Sequence, residues 1–131
     1  MTKQTKKKRL IAEDVLHLYA QGERDFRNTN LDGTYFVGAD LRGADFSYAS
    51  LRGADLSNAN LTNTDFTGAD LTGANLSNTN LTYISIYGAD LSDAIITIGN
   101  MDVIIKGSVE QIEGERNGQK NKKANRKRTF E

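Results

Sequence analysis

The sequence predicts a solenoid, and two repeating features carry this prediction. Between Arg24 and Ile98 the chain divides into fifteen consecutive five-residue units without a gap, each with a large apolar residue at its centre. The residue two positions before the centre is Ala or Thr in thirteen units, and the residue one position before it is Asp or Asn in eleven. Because this spacing fits neither the period of a helix nor that of a strand, each unit is expected to form one side of a coil with its centre pointing inward. The centres are Phe26, Leu31, Phe36, Leu41, Phe46, Leu51, Leu56, Leu61, Phe66, Leu71, Leu76, Leu81, Ile86, Leu91 and Ile96.

The spacing of the phenylalanines predicts four sides in each coil. Phe26, Phe46 and Phe66 recur at intervals of twenty residues, which is four units, and Ile86 follows at the next interval. Side chains repeated in this way would stack from coil to coil as a ladder, although Phe36 lies off it. The small residue two positions before each centre is also expected to point inward, because positions two apart in an extended segment face the same way.

The repeat resembles the pentapeptide-repeat family, whose consensus is A-(D/N)-L-x-x. The units at residues 39–43 (ADLRG), 54–58 (ADLSN) and 74–78 (ANLSN) match the consensus directly, and the repeat extends over residues 24–98. The resemblance implies a right-handed, four-sided parallel β-helix. The predicted fold class is thus an all-β solenoid of this kind, about four coils long, with an N-terminal capping α-helix. A shared fold does not transfer an activity.

Residues 1–23 are predicted to form a basic N-terminus and the capping helix. The helix is expected over residues 9–21, with Gly22 at the position that commonly follows a helix. An open end of a β-helix presents unpaired backbone groups, so a helix laid across the first coil would close it. Residues 16–26 also resemble the short leader that often opens bacterial members of the family. The predicted apolar stripe comprises Ile11, Ala12, Val15, Leu16, Leu18 and Tyr19.

The repeat degrades after the fifteenth unit, and residues 99–112 are predicted to be a closing segment. Ile95 and Ile98 already depart from the consensus, and the unit at 99–103 is a poor match. Two interpretations stay open. Short strands at residues 103–105 and 109–112 would close the last coil, or the Ile-rich end is a self-association surface that makes a homodimer.

Residues 113–131 are predicted to be a disordered basic tail. The segment is polar, and such a composition buries too little apolar surface to offset the entropy of the chain. Its basic cluster from Lys120 to Arg128 could contact nucleic acid through charge alone. The favoured interpretation is a solubilising tail, and nucleic acid is not otherwise expected as a partner.

Charge and composition exclude several classes of protein. The chain has seventeen basic and seventeen acidic residues, with an excess of six negative charges over residues 24–103 and of four positive charges over residues 104–131. It has no cysteine, which excludes disulfides and thiolate metal sites. The basic run from Lys6 to Arg9 is not followed by the apolar stretch of a signal peptide. No stretch is long and apolar enough for a membrane span, so a cytoplasmic location without a membrane partner is expected.

No catalytic, cofactor-binding or metal site is predicted. Asp45 and Asp65 should stack one coil apart, but an Asp or Asn at this position recurs around every side because it suits the turns. The seven glycines at the ends of units are explained in the same way, by turns that require a positive φ. His17 is the only histidine and lies in the predicted helix. The chain is therefore not expected to be an enzyme.

Outward-facing departures from the consensus are the candidate partner contacts. Tyrosine is favoured at protein interfaces because it combines an apolar ring with a polar tip, and arginine is also expected to project outward from the array. Two of the tyrosines should lie on the side of the Phe ladder and two on other sides, so no single compact patch is predicted. The candidates are Tyr35, Tyr48, Tyr83, Tyr87, Arg42 and Arg52.

The leading functional hypothesis is a non-enzymatic protein–protein interaction or scaffold module that binds an unidentified protein partner. The alternative comes from the family resemblance, because some members resemble a DNA duplex in width and acidity and act on DNA gyrase. The array here is acidic, but those members are longer and dimerise through a C-terminal element that is not recognisable in this sequence.

Overall fold

The computed structural model describes residues 8–98 and 101–104 of the chain. Its helix and strands are β1 (Lys8–Arg9), α1 (Ala12–Ala20), β2 (Thr29–Asn30), β3 (Asn75–Leu76), β4 (Ile95–Ile98) and β5 (Met101–Ile104). Most of the strand pairing consists of single bridges between extended residues, so the architecture is carried by the repeat rather than by long strands. None of the helices in the described ranges is long and apolar enough to cross a membrane.

The repeat folds into a four-sided parallel β-helix, as the Phe spacing predicts. Parallel bridges join residues twenty apart throughout the stack, from Asp25 with Asp45 to Asp70 with Asp90. Four five-residue units therefore make one coil. We call the sides faces A to D in chain order. Face A comprises residues 24–28, 44–48, 64–68 and 84–88; face B comprises 29–33, 49–53, 69–73 and 89–93; face C comprises 34–38, 54–58, 74–78 and 94–98; face D comprises 39–43, 59–63 and 79–83.

Each corner between faces is a tight turn that begins at the central residue of a unit. At one such corner the N–H of Thr34 donates to the carbonyl of Leu31 at 3.1 Å, and Gly33 between them has φ of 71°. Because only the third residue of the turn has a positive φ, the geometry is that of a type II turn. All seven glycines at the ends of units adopt positive φ, which confirms that these turns take a positive φ.

The central residues form the core, and identical residues stack in register. The rings of Phe26 and Phe46 lie 5.5 Å apart and those of Phe46 and Phe66 lie 5.4 Å apart, both stacked, whereas Phe36 is tilted on Phe46 at 6.5 Å. The alanines two positions before the centres are buried beside them in most units. The predicted ladder and inward corners are therefore confirmed.

The N-terminal end is closed by β1 and α1 together. β1 pairs in parallel with β2, and Leu10 donates its N–H to the carbonyl of Asn30 at 3.1 Å. This pairing continues face B by part of one coil, and the buried Leu10 extends its column of leucines. The strand was not predicted, and it explains why the helix begins at Ala12 rather than at residue 9. The backbone of residues 8–10 is already bonded to the coil below.

Helix α1 lies on the first coil through a narrower stripe than predicted. Val15 is fully buried, and Ala12, Leu18 and Tyr19 are partly buried against the core, but Ile11 and Leu16 are exposed. After the helix, the N–H of Gly22 donates to Tyr19 at 2.9 Å and that of Glu23 donates to Leu18 at 3.0 Å. This pair of bonds is a Schellman motif, with Gly22 at φ of 102° as the sequence predicts.

The C-terminal end is closed in a different way. β4 pairs in parallel with β3 on face C, and β5 turns back to pair with β4 in the antiparallel sense, so that Ile95 lies opposite Ile104. The first of the two predicted closing strands, at residues 103–105, overlaps β5 at residues 103 and 104. The second predicted strand at residues 109–112 and the predicted tail at residues 113–131 lie outside the described residues.

Candidate protein-interaction surface

The Asp and Asn residues before each centre are held by the adjacent turn. Oδ1 of Asp65 accepts the N–H of Thr67 at 2.9 Å and its hydroxyl at 2.6 Å. The Thr67 hydroxyl bond holds the pKa of Asp65 below its usual value, and Ser92 has the same effect on Asp90. This arrangement supports the interpretation that these residues serve the turns. In seven other units the backbone N–H two residues later donates to the same side-chain oxygen. The acceptors are Asp45, Asp55, Asn60, Asp70, Asn75, Asn80 and Asp90.

Arginine replaces the hydroxyl residue at three places near the N-terminal end, and at two of them it pairs with the Asp of its own unit. Arg27 makes bonds of 2.8 and 2.9 Å to the two carboxylate oxygens of Asp25, and this guanidinium lowers the pKa of Asp25 to about 2. Arg42 donates in the same bidentate way to the two carboxylate oxygens of Asp40, at 2.8 and 2.7 Å. Of the two predicted contact arginines, Arg42 is thus already engaged by its own face, while Arg52 lies 3.9 Å from Asp70.

Three of the four candidate tyrosines border face A. Tyr48 and Tyr87 belong to this face and are 55 and 68% exposed, respectively. Tyr83 is assigned to face D but is the last residue before face A begins at Ile84, and it is 79% exposed. Tyr35 lies apart on face C of the first coil and is 69% exposed. The structure therefore brings three of the predicted contacts to one side of the rod and leaves the fourth elsewhere.

Two of these tyrosines occupy a backbone conformation that suits glycine. Tyr48 has φ of 61° and Tyr83 has φ of 58°, at corners where most other units have Gly or Asn. A bulky residue in the left-handed region costs on the order of 1 to 2 kcal/mol relative to a favoured conformation. The sequence carries the signal for this strain, because both tyrosines stand at the last position of their units.

Gly68 has a role that the repeat alone did not reveal. The ring of Tyr48 lies over Gly68 in the next coil, so a Cβ at this glycine would clash with Cε1 and Cδ1 of the ring. Its φ of 67° already favours glycine. Gly68 therefore allows both the positive φ of its own turn and the packing of the Tyr48 ring.

Charge is distributed unevenly along the stack. Residues 53–98 contain five aspartates and no basic residue, whereas the six basic residues of the described chain lie between Lys8 and Arg52. The far half of the rod is therefore the acidic half. Within the described residues no group of His, Asp and Glu could hold a metal ion, and His17 is an exposed residue of α1.

Comparisons with known proteins agree with this architecture. A family model described as pentapeptide repeats matches residues 25–58 and 59–97 in eight copies. The structure of HetL, a pentapeptide repeat protein involved in heterocyst differentiation regulation from the cyanobacterium Nostoc sp. strain PCC 7120, is 36% identical, with a TM-score of 0.66 over 67% of this chain and 37% of HetL. No curated protein matches the sequence significantly.

A second structure, the pentapeptide repeat protein Rfr23 from the cyanobacterium Cyanothece 51142, is 35% identical, with a TM-score of 0.49 over 50% of this chain and 44% of Rfr23. The chain spans less than half the length of both proteins. The comparisons confirm the predicted right-handed, four-sided β-helix. With its family match covering more than half of its length, the chain belongs to the pentapeptide-repeat family.

Proposed function

We propose that this chain is a non-enzymatic protein-interaction module that binds a protein partner with face A. The observation that carries the proposal is the pair of tyrosines held at positive φ at the two corners of this face. Tyr87 lies between those corners. The partner is expected to contact the three rings from the coils between Tyr48 and Tyr87.

Fold stability does not account for these tyrosines. Glycine or asparagine at the same corners would remove the strain, as Asn63 does one coil before Tyr83. The ring of Tyr48 recovers part of the cost by packing on Gly68, but Tyr83 is mostly exposed. Exposed tyrosines that oppose the local backbone preference are well suited to a partner, because aromatic residues contribute strongly to protein interfaces.

The test uses substitutions that the repeat itself tolerates. Tyr48→Asn, Tyr83→Asn and Tyr87→Ser, made together, are expected to abolish capture of a partner from a lysate of the native organism. Asn63→Gly is the matched control because it changes a corner of face D without removing an aromatic ring. A version that ends at Ile104 removes any contribution of the basic tail. Equal capture of the same partner by the wild type and the triple variant would contradict the proposal.

A second candidate is a DNA mimic that acts on DNA gyrase. It is favoured by the charge of residues 53–98, which contain five aspartates and no basic residue. A supercoiling assay decides this candidate, because a mimic should inhibit or protect gyrase at micromolar concentration. No effect on supercoiling at that concentration would exclude it and leave the interaction module in place.

The C-terminal end supports a further part of the proposal, a homodimer. Ile98 and Ile104, on β4 and β5, are about half exposed. Light scattering after size exclusion should then show a mass twice that of the monomer, and Ile98→Lys should restore the monomer. A monomer of the intact chain at tens of micromolar would contradict the dimer. A cytoplasmic location stays a prediction from the sequence.

A further inference from the structure

Among the residues that the structure describes, face C begins with an unpaired strand edge. In the later coils of this face, the residue before each centre donates its N–H to the coil before it: Asp55 to Thr34, and Asn75 to Ala54, each at 2.9 Å. Tyr35 is the equivalent residue of the first coil. Within the described residues its N–H has no partner, because no strand precedes it on this face.

Two carbonyls of the same edge are also unpaired within the described residues. In the second coil, Asp55 accepts from Phe36 at 2.7 Å and Ser57 accepts from Gly38 at 2.9 Å. The corresponding acceptors in the first coil are the carbonyls of Tyr35 and Val37, which have no donor in the part of the chain that the structure describes. This edge therefore offers one donor and two acceptors in the pattern of a strand.

The neighbouring faces show why the edge stays open. Face B is covered by β1, where Leu10 donates to Asn30. Face D is reached by the end of α1, where the hydroxyl of Tyr19 donates to the carbonyl of Arg42 at 2.7 Å. Between them, the chain leaves the strand conformation after Leu10 and begins α1 at Ala12. The helix thus starts where a strand over face C would otherwise continue.

A groove accompanies this edge. It has a volume of about 380 Å³ and lies between the start of α1 and residues 33–35. Ile11 and Tyr35 provide its apolar lining, and Ile11 is 50% exposed. Arg9 and Glu13 add one charge of each sign. The groove therefore suits a segment with apolar side chains and little net charge.

We infer that this edge binds an extended peptide segment of a partner protein, which adds to face C as an extra strand. A carbonyl of the segment accepts the N–H of Tyr35, and its N–H groups donate to the carbonyls of Tyr35 and Val37. One side chain of the segment packs between Ile11 and the ring of Tyr35. Main-chain bonds at a sheet edge supply affinity in this mode of recognition, and pockets for alternate side chains supply specificity. The segment continues the line of pairing that β1 already makes on face B.

The first measurement is amide hydrogen exchange of the full chain by NMR. The N–H of Tyr35 should exchange at least tenfold faster than those of Asp55 and Asn75, which are bonded in the coils that follow. Slow exchange of the Tyr35 amide in the free protein would overturn the inference. If the slow exchange accompanies a dimer in light scattering, the occupant is a second copy rather than a partner peptide.

The second measurement uses a phage-displayed library of random ten-residue linear peptides selected on the full chain. Enriched peptides, made synthetically, should bind with an affinity at least tenfold weaker for Tyr35→Pro, which removes an N–H that the described fold does not use. Tyr35→Ala keeps the N–H and reports the contribution of the ring alone. Failure to enrich any peptide, or binding to Tyr35→Pro within twofold of the wild type, would overturn the inference.

Two controls separate this site from its surroundings. If Tyr35→Pro fails to fold, peptide addition to the wild type must still slow exchange of the Tyr35 amide at least tenfold, and an unchanged rate counts against the site. The face A triple variant should bind the same peptides as the wild type. The two proposals can therefore fail independently.

Discussion

The two ends of the stack are closed by different means and to different degrees. At the N-terminal end, β1 and α1 cover the first coil, and its four centres Phe26, Leu31, Phe36 and Leu41 are buried. At the other end, in the part of the chain that the structure describes, β5 covers only face C, and four inward apolar residues are partly exposed. These are Leu81, Ile84, Ile86 and Ile96. A solenoid core is thus a continuous interior whose ends need separate solutions, because each coil is covered only by its neighbours.

The largest effect is expected from placing the same charge in each end. Leu31→Asp introduces a carboxylate without a partner into a fully buried site, so we expect loss of the cooperative unfolding transition. Ile86→Asp leaves its carboxylate with access to water and should give a folded protein with a lower Tm. Thermal denaturation followed by circular dichroism measures both. Equal losses would show that the two ends are closed equally well.

A smaller effect is expected within the capping helix. Val15→Ala removes methyl groups that are fully buried against the first coil and should cost on the order of 1 to 3 kcal/mol of unfolding free energy. Leu16→Ala, one residue later on the exposed side of the same helix, should cost less than about 0.5 kcal/mol. Urea denaturation gives both values. A larger loss for Leu16 would mean that the helix packs through the other side.

The hydrogen bond from the Tyr19 hydroxyl of this helix to the first coil should contribute less to the unfolding free energy than the burial of Val15. Tyr19→Phe deletes the hydroxyl that donates to the carbonyl of Arg42 and keeps the ring beneath the guanidinium of Arg24, which lies 3.6 Å from its centroid. The expected cost is about 1 kcal/mol. Tyr83→Phe is the control because it removes a hydroxyl from an exposed ring. If both changes cost the same, the bond to Arg42 does not hold the cap.

The smallest effect concerns pH and salt. The pKa of Asp25 is lowered to about 2, and those of Asp40, Asp65 and Asp90 are also lowered. A depressed folded-state pKa stabilises the fold above the unfolded value of about 4, and this contribution is lost as the pH falls through the folded value. Tm should therefore fall as the pH is lowered from about 4 to about 2.

Salt should distinguish the two halves of the stack in the same experiment. Asp25 and Asp40 are held by exposed arginines, whereas Asp65 and Asp90 are held by hydroxyl groups. High salt should reduce the effect on Tm of Asp25→Asn but leave that of Asp65→Asn unchanged, because screening acts on exposed ion pairs. Equal salt dependence would contradict this assignment.

The repeat was predictable from the sequence because each of its positions has a single physical role. The twenty-residue interval of Phe26, Phe46 and Phe66 predicted four sides in each coil, and the glycines at the ends of units predicted the corners. β1 was not predictable, because Lys8 and Arg9 carry no strand pattern and pair only because β2 offers its edge. The helical spacing of Ile11 with Val15 predicts that the helix already includes residues 9–11. In the structure the pairing of residues 8–10 with the first coil overrides this spacing, and the helix begins at Ala12.

The candidate surface was only partly predictable. The four tyrosines stood out as departures from the consensus, and their faces followed from the count of residues. That three of them border face A follows from Tyr83 standing at the last position of its unit, where the chain turns from face D to face A. The open edge at Tyr35 could not be predicted, since it exists only because α1 begins where the strand over face C would continue.

The twenty-residue register also determines how this molecule can change in length. A duplication or loss of one whole coil returns every ladder, corner and face to its place, and alters the rod by roughly 4.8 Å, the spacing of neighbouring strands. An insertion of any other size within the array must be extruded as a loop or break the columns. The distance between the edge at Tyr35 and the acidic far end therefore changes only in steps of one coil.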